Sequence, residues 1–138
     1  MKFVNEGEFR VRQLFVDAYG CNMDLSDVDK IAAVAERGIL SVGAQIRNRA
    51  TEYFQPHGAT IVYILAESHV IITTWPEYKY AAIDVLLCNL SMDPRRVSEE
   101  VIKLLSPSDI NEQLIDRLIY TEGQNLESSQ KMFEGAAE

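Results

Sequence analysis

A chain of 138 residues, 47% hydrophobic and 25% charged, is sized for one domain around a single core. Its 13 basic residues face 21 acidic ones, a net charge of -8, and the only tight basic cluster is Arg95-Arg96, so the broad positive footprint of a nucleic-acid binder is excluded. No apolar run has the length of a membrane span, and charges interrupt the N-terminal MKFVNEGEFR, so neither a membrane anchor nor a secretory leader is expected and the cytoplasm is the default compartment.

In chain order, residues 11–19 (VRQLFVDAY) alternate partly between apolar and polar side chains and read as a first strand. Gly20-Cys21-Asn22 reads as a turn. Ser26 or Asp27 can cap a helix running to about Val42, with Ile31, Ala32, Val34, Ala35, Ile39 and Leu40 on its inner face. Gly38 inside that helix is an unfavourable residue for it. A run of strands follows: 50–55, a Pro56-His57-Gly58 turn, 59–66 (ATIVYILA), an interruption at Glu67-Ser68-His69, then 69–75 (HVIITTW). Pro76-Glu77 breaks the run, and 78–88 is a further strand. Pro94 suits the first turn of a helix through Leu105. Residues 110–120 carry a helical pattern that also fits a last strand. The domain is expected to span 1–122, with 123–138 a polar tail. Strands clustered between helices predict an α+β fold, a two-layer sandwich of an antiparallel sheet with helices on one face. Helices sufficient for one face leave the other open, and the chain is expected to form a homodimer, sheet to sheet or edge to edge, or a higher homo-oligomer.

Cys21 and Cys88 are too few for a zinc site, and His57 and His69 lack ligand spacing to them, so no metal is expected; a cytoplasmic chain argues against a disulfide. A buried thiol is the simplest reading of each. Taken alone, Ser68 reads as a polar turn residue, Phe54 as a core aromatic and Glu77 as a solvated carboxylate. Tyr80 and Asp84, four apart on one strand face, read as structural partners.

The stretch 66–88, AESHVIITTWPEYKYAAIDVLLC, changes those readings. It resembles the maturation and active-site segment of prokaryotic S-adenosylmethionine decarboxylases, roughly E-S-H-x-x-x-H-T-W-P-E-x-x-Y-A-A-x-D followed by an apolar run ending in Cys. Glu67, Ser68, His69, Thr74, Trp75, Pro76, Glu77, Tyr80, Ala81, Ala82, Asp84 and Cys88 match in register without a gap. Upstream, VDAYGC at 16–21 and the Phe54-x-Pro56-x-Gly58 run are also similar, so the resemblance spans about 11–105. Members of that family are proenzymes. A serine hydroxyl attacks the preceding glutamate carbonyl, elimination breaks the chain, and the new N-terminus becomes a pyruvoyl group that takes the place of pyridoxal phosphate.

By position, the resemblance implies that Glu67-Ser68 is the scissile bond and that Ser68 is the precursor of a pyruvoyl cofactor. It makes Cys88 the acid that protonates the substrate carbon, and it places Glu77 on the ribose hydroxyls and Phe54 on the adenine of S-adenosylmethionine. Thr60 stands where the family has a serine that assists cleavage. The departure is Thr73, which stands where the family has the histidine that serves as base; a threonine hydroxyl is no base near neutral pH. His69 is the nearest imidazole, but neighbours on a strand face opposite sides. The implied function is self-cleavage and decarboxylation of S-adenosylmethionine for spermidine synthesis. The Thr73 substitution motivates an alternative, an uncut homologue that binds S-adenosylmethionine or regulates a paralogue. A pyruvoyl-dependent arginine or ornithine decarboxylase, or another reaction on S-adenosylmethionine, is compatible with the same residues.

Overall fold

The computed structural model describes residues 3–5 and 8–120; the expected tail at 123–138 lies outside them. Seven strands and two helices follow one another as β1 (Phe3–Asn5), β2 (Glu8–Tyr19), α1 (Val28–Ser41), β3 (Ile46–Tyr53), β4 (Ala59–Leu65), β5 (Ser68–Trp75), β6 (Tyr80–Leu87), α2 (Pro94–Leu105) and β7 (Asp109–Tyr120). A single 3-10 turn, Pro76–Tyr78, joins β5 to β6. All pairings are antiparallel, in the order β1-β2-β6-β5-β4-β3, with β7 along the remaining side of β2.

Both helices lie on one face of the sheet. The buried sides of the strands alternate cleanly there: Ala59, Ile61, Tyr63 and Leu65 on β4, Val70, Ile72 and Thr74 on β5, and Ala81, Ile83, Val85 and Leu87 on β6. They pack against Val28, Ile31, Ala32, Ala35 and Ile39 of α1 and Val97, Val101 and Leu105 of α2. Asp27 is the residue that caps α1, accepting from the Lys30 amide, and Asp93 caps α2 through the Arg95 amide ahead of Pro94. Gly38 sits where the helices touch: a Cβ there would lie 2.4 Å from the Val97 carbonyl oxygen. The position therefore trades helix propensity for close packing of α1 on α2.

Three expectations change. β3 starts at Ile46, earlier than residue 50, and stops at Tyr53. It is an edge strand exposed on both faces, so no apolar alternation marks its start. The interruption after β4 is only Ala66-Glu67, because Ser68 and His69 already belong to β5. Residues 110–120 form a strand, not a helix, paired with β2 at every position from Glu8↔Tyr120 to Tyr19↔Asp109. Ile110, Leu114 and Leu118 are four apart, a spacing that repeats on one side of a helix and of a strand alike. Ile115 and Ile119 then fall on the open face, where each is 42% exposed.

That open face also carries Phe15 and Ile64, exposed to 36% and 49%. No described helix covers it. None of the described helices is long and apolar enough to cross a membrane.

Candidate active site

Ser68 opens β5, directly after a residue in a demanding conformation. Glu67 has φ +60°, in the left-handed region that non-glycine residues rarely occupy. The β5–β6 register carries Leu86 opposite His69, and the chain just beyond Leu87 thus comes alongside Ser68. The Cys88 amide donates to Ser68 Oγ at 3.2 Å, and Ser68 Oγ–H points to Cys88 Sγ at 3.5 Å. The thiol also lies 3.9 Å from the Ala66 carbonyl oxygen and 4.0 Å from Glu67 Oε2. A cavity of about 280 Å³ opens beside this group, lined by Gly43, Ala44 and Gln45 after α1, by the Leu65–Ser68 turn, and by Leu87, Cys88, Asn89 and Met92. Hydroxyl, thiol and carboxylate thus share one small space, although twenty residues separate Ser68 from Cys88.

The other singled-out residues sit at the opposite end of the same strands. The β3–β4 hairpin is closed by the Phe54 amide on the Gly58 carbonyl at 2.8 Å. Gly58 has φ +99°, and a Cβ there would meet the Thr74 carbonyl oxygen at 2.7 Å, so glycine is required. A pocket of about 380 Å³ lies between the hairpin and the turn after β5, lined by Phe54, Gln55, Pro56, His57, Trp75 and Glu77. His57 Nε2 is 3.3 Å from Glu77 Oε2. One register step inward, Thr60 and Thr73 face each other across β4 and β5 with their hydroxyls 2.8 Å apart. Five residues of extended strand, roughly 17 Å at 3.3 Å each, separate Thr73 from Ser68. Within one chain, therefore, Ser68, Glu67 and Cys88 form one group, and Phe54, Thr60, Thr73 and Glu77 a second that does not reach it.

The family profile described as S-adenosylmethionine decarboxylase matches residues 12–118, which include both groups. The chain belongs to the S-adenosylmethionine decarboxylase family. Among its relatives, the S-adenosylmethionine decarboxylase proenzyme of Sulfurihydrogenibium sp. is 36% identical over 121 residues, covering 85% of this chain and 91% of that protein. The protein of the same name from Carboxydothermus hydrogenoformans is 42% identical over 84 residues, 60% of this chain and 66% of the relative. In three dimensions, the crystal structure of the adenosylmethionine decarboxylase from Aquifex aeolicus superposes with a TM-score of 0.74 at 32% identity, covering 85% of this chain and 98% of that one.

Against that family background, sequence reading missed several partnerships. Tyr80 and Asp84 are not partners. The Tyr80 hydroxyl donates to Asp17 and its ring stacks between Tyr19 and Trp75, at centroid distances of 5.4 and 5.2 Å. Burial first, and then the Asp17 hydrogen bond, push the Tyr80 phenol up to about 12. Asp84 instead faces His69 Nε2 at 3.7 Å and accepts from Gln13 at 3.0 Å; Gln13 in turn accepts from Arg117 at 3.2 Å. This row crosses β5, β6, β2 and β7 on the open face. Nothing in the spacing of these residues announces it, because cross-strand neighbours follow from register alone. Cys21 is buried with its thiol on the Ala18 carbonyl, and burial pushes that thiol up, which makes it a poor nucleophile. Among the described residues no cluster of three His, Cys, Asp or Glu side chains could hold a metal ion.

Proposed function

We propose that the chain is a proenzyme that cuts itself between Glu67 and Ser68 and then decarboxylates S-adenosylmethionine, supplying the aminopropyl donor for spermidine synthesis. The observation that carries this reading is the seat of the Ser68 hydroxyl. The Cys88 amide and thiol hold it beside a cavity, and the peptide bond ahead of it follows a residue in a strained conformation. Strain stored at that link favours its rupture. A pyruvoyl group fits here, because the serine that would become it already shares the cavity with the thiol. Once formed, it supplies an electron sink at the substrate amine. In this reading Cys88 delivers a proton to the carbon that has lost carbon dioxide. Phe54 and Trp75 offer aromatic walls for a nucleoside, and Glu77 an acceptor for vicinal hydroxyls. These features favour S-adenosylmethionine over arginine or ornithine.

Since one chain keeps the two groups apart, the complete site is assembled from two copies. Ser68 and Cys88 of one meet Phe54, Thr60, Thr73 and Glu77 of the other. The open apolar face supports a homodimer that buries it sheet to sheet. The test is mass spectrometry of the purified protein during prolonged incubation, coupled to release of carbon dioxide from carboxyl-labelled substrate. Fragments 1–67 and 68–138 together with release are expected. A chain that stays whole near 15.6 kDa and releases nothing rejects the reading.

Thr73 favours a second reading, an uncut homologue that binds S-adenosylmethionine or regulates a paralogue. Calorimetric binding of S-adenosylmethionine by a chain that stays whole would establish it.

A further inference from the structure

The elimination that completes self-cleavage needs a base, and Thr73 cannot serve. The chain has 2 histidines. His57 is engaged with Glu77 at the far end of the strands, and His69 turns to Asp84 on the open face. Among the described residues, eleven line the cavity beside Ser68, and of these only Glu67 and Cys88 ionise. The Glu67 side chain is turned into that space, with Oε2 4.0 Å from the Cys88 thiol that holds the Ser68 hydroxyl. Glu67 is the residue immediately before the scissile junction, and its backbone is left-handed at φ +60°.

We infer that the side-chain carboxylate of Glu67 is the base that removes the Ser68 α-proton, so the residue that loses its peptide bond also drives the loss. This deepens the self-processing reading and rests on it. The steps balance without an oxidant or a metal. Ser68 Oγ adds to the Glu67 carbonyl carbon, the C–N bond breaks, and the nitrogen takes the hydroxyl proton, leaving an ester. The Glu67 side-chain carboxylate then takes the α-proton of Ser68. The C–H electron pair becomes a Cα=Cβ double bond. The Cβ–Oγ bond breaks with its pair on oxygen, which leaves as the new C-terminal carboxylate of residue 67. The enamine becomes an imine, and one water hydrolyses it to the ketone, releasing ammonia. A carboxylate is a weaker base than an imidazole, so maturation by this route is slow.

The test follows cleavage by intact mass in the wild-type chain, Glu67→Gln, Glu67→Gly, and Glu67→Gln combined with Thr73→His. The wild type should yield 1–67 and 68–138. Glu67→Gln should slow cleavage about 100-fold, the lower end of a lost general base. Glycine accepts φ +60° without strain, and added formate should accelerate Glu67→Gly about 10-fold, which no structural role would produce. Adding Thr73→His to Glu67→Gln should restore cleavage. Glu67→Gln cleaving at the wild-type rate overturns the inference and leaves self-processing standing. So does cleavage that survives Glu67→Gln but stops in His57→Gln, which hands the role to an imidazole from a second copy. A wild-type chain that never cuts rejects self-processing itself, before any substitution is made, and the role of Glu67 with it.

Discussion

If each site draws on two copies, two inactive chains should repair one another. Consider Ser68→Ala, which cannot form the ketone, and Glu77→Gln, which loses the acceptor for the nucleoside hydroxyls. Neither homodimer holds a complete site. In a mixed dimer one site receives both defects, and the other receives wild-type Ser68 with Cys88 from one copy and wild-type Glu77 with Phe54 from its mate. Random pairing at equal amounts makes half of the dimers mixed, and half of the sites in those dimers are whole, so about a quarter of wild-type activity should return. Glu77 lies two residues beyond the end of β5, and the seven residue steps from Ser68 to Trp75 alone span roughly 23 Å. No rotamer of a glutamate closes such a gap. The assay is release of labelled carbon dioxide after the two chains are unfolded together and refolded, with native mass spectrometry to count mixed dimers. Activity that stays at the sum of the two parents, in a sample where mixed dimers are present, refutes the two-copy site.

Cys88→Ala should still cut between Glu67 and Ser68, because the backbone amide at 88 holds the Ser68 hydroxyl regardless of the side chain, while decarboxylation falls at least about 100-fold; intact mass and carbon dioxide release separate the two effects. Gly38→Ala should destabilise the fold by about 1–2 kcal/mol in urea unfolding, since the ~1 kcal/mol of helix propensity gained is outweighed by overpacking against the Val97 carbonyl. Tyr80 predicts an alkaline effect. Its folded phenol titrates at about 12, above the ordinary value of 10.0, so its contribution to stability is complete below pH 10 and is lost as pH rises through 12. Tyr80→Phe should flatten that part of the stability curve and remove one late transition from an absorbance titration of the tyrosines.

Those parts of the fold were legible where local chemistry decides the structure. Asp27, one of the two cap candidates, caps α1, Pro94 opens α2, and the β-branched run ATIVYILA marks β4 because it pairs on both sides and packs on one. Legibility fails where a neighbour distant in sequence decides. β7 is settled by twelve pairings with β2, and a four-residue apolar spacing fits a strand as well as a helix. Gly38 reads as a flaw until α2 is laid against it. The contact between His57 and Glu77, and the row from His69 to Arg117, exist only once register is known.

The site shows the same division in a more consequential form. Along the chain, Glu67 to Glu77 reads as one continuous motif, which invites the picture of one pocket. An extended strand carries its residues about 3.3 Å apart and turns alternate side chains to opposite faces, so contiguity in sequence becomes separation in space. A helix over the same eleven residues would have kept the whole motif within roughly 15 Å. The β5 strand instead delivers the hydroxyl to one end of the sheet and the pocket lined by Phe54, Trp75 and Glu77 to the other. In the proposed dimer, two copies placed with their strands running in opposite senses would bring unlike ends together, and the separation inside one chain would let each dimer close two sites. Whatever base replaces the family's histidine must then belong to the Ser68 end or arrive with the second copy. Among the described residues at the Ser68 end, only the carboxylate at 67 and the thiol at 88 are ionisable groups that face the cavity.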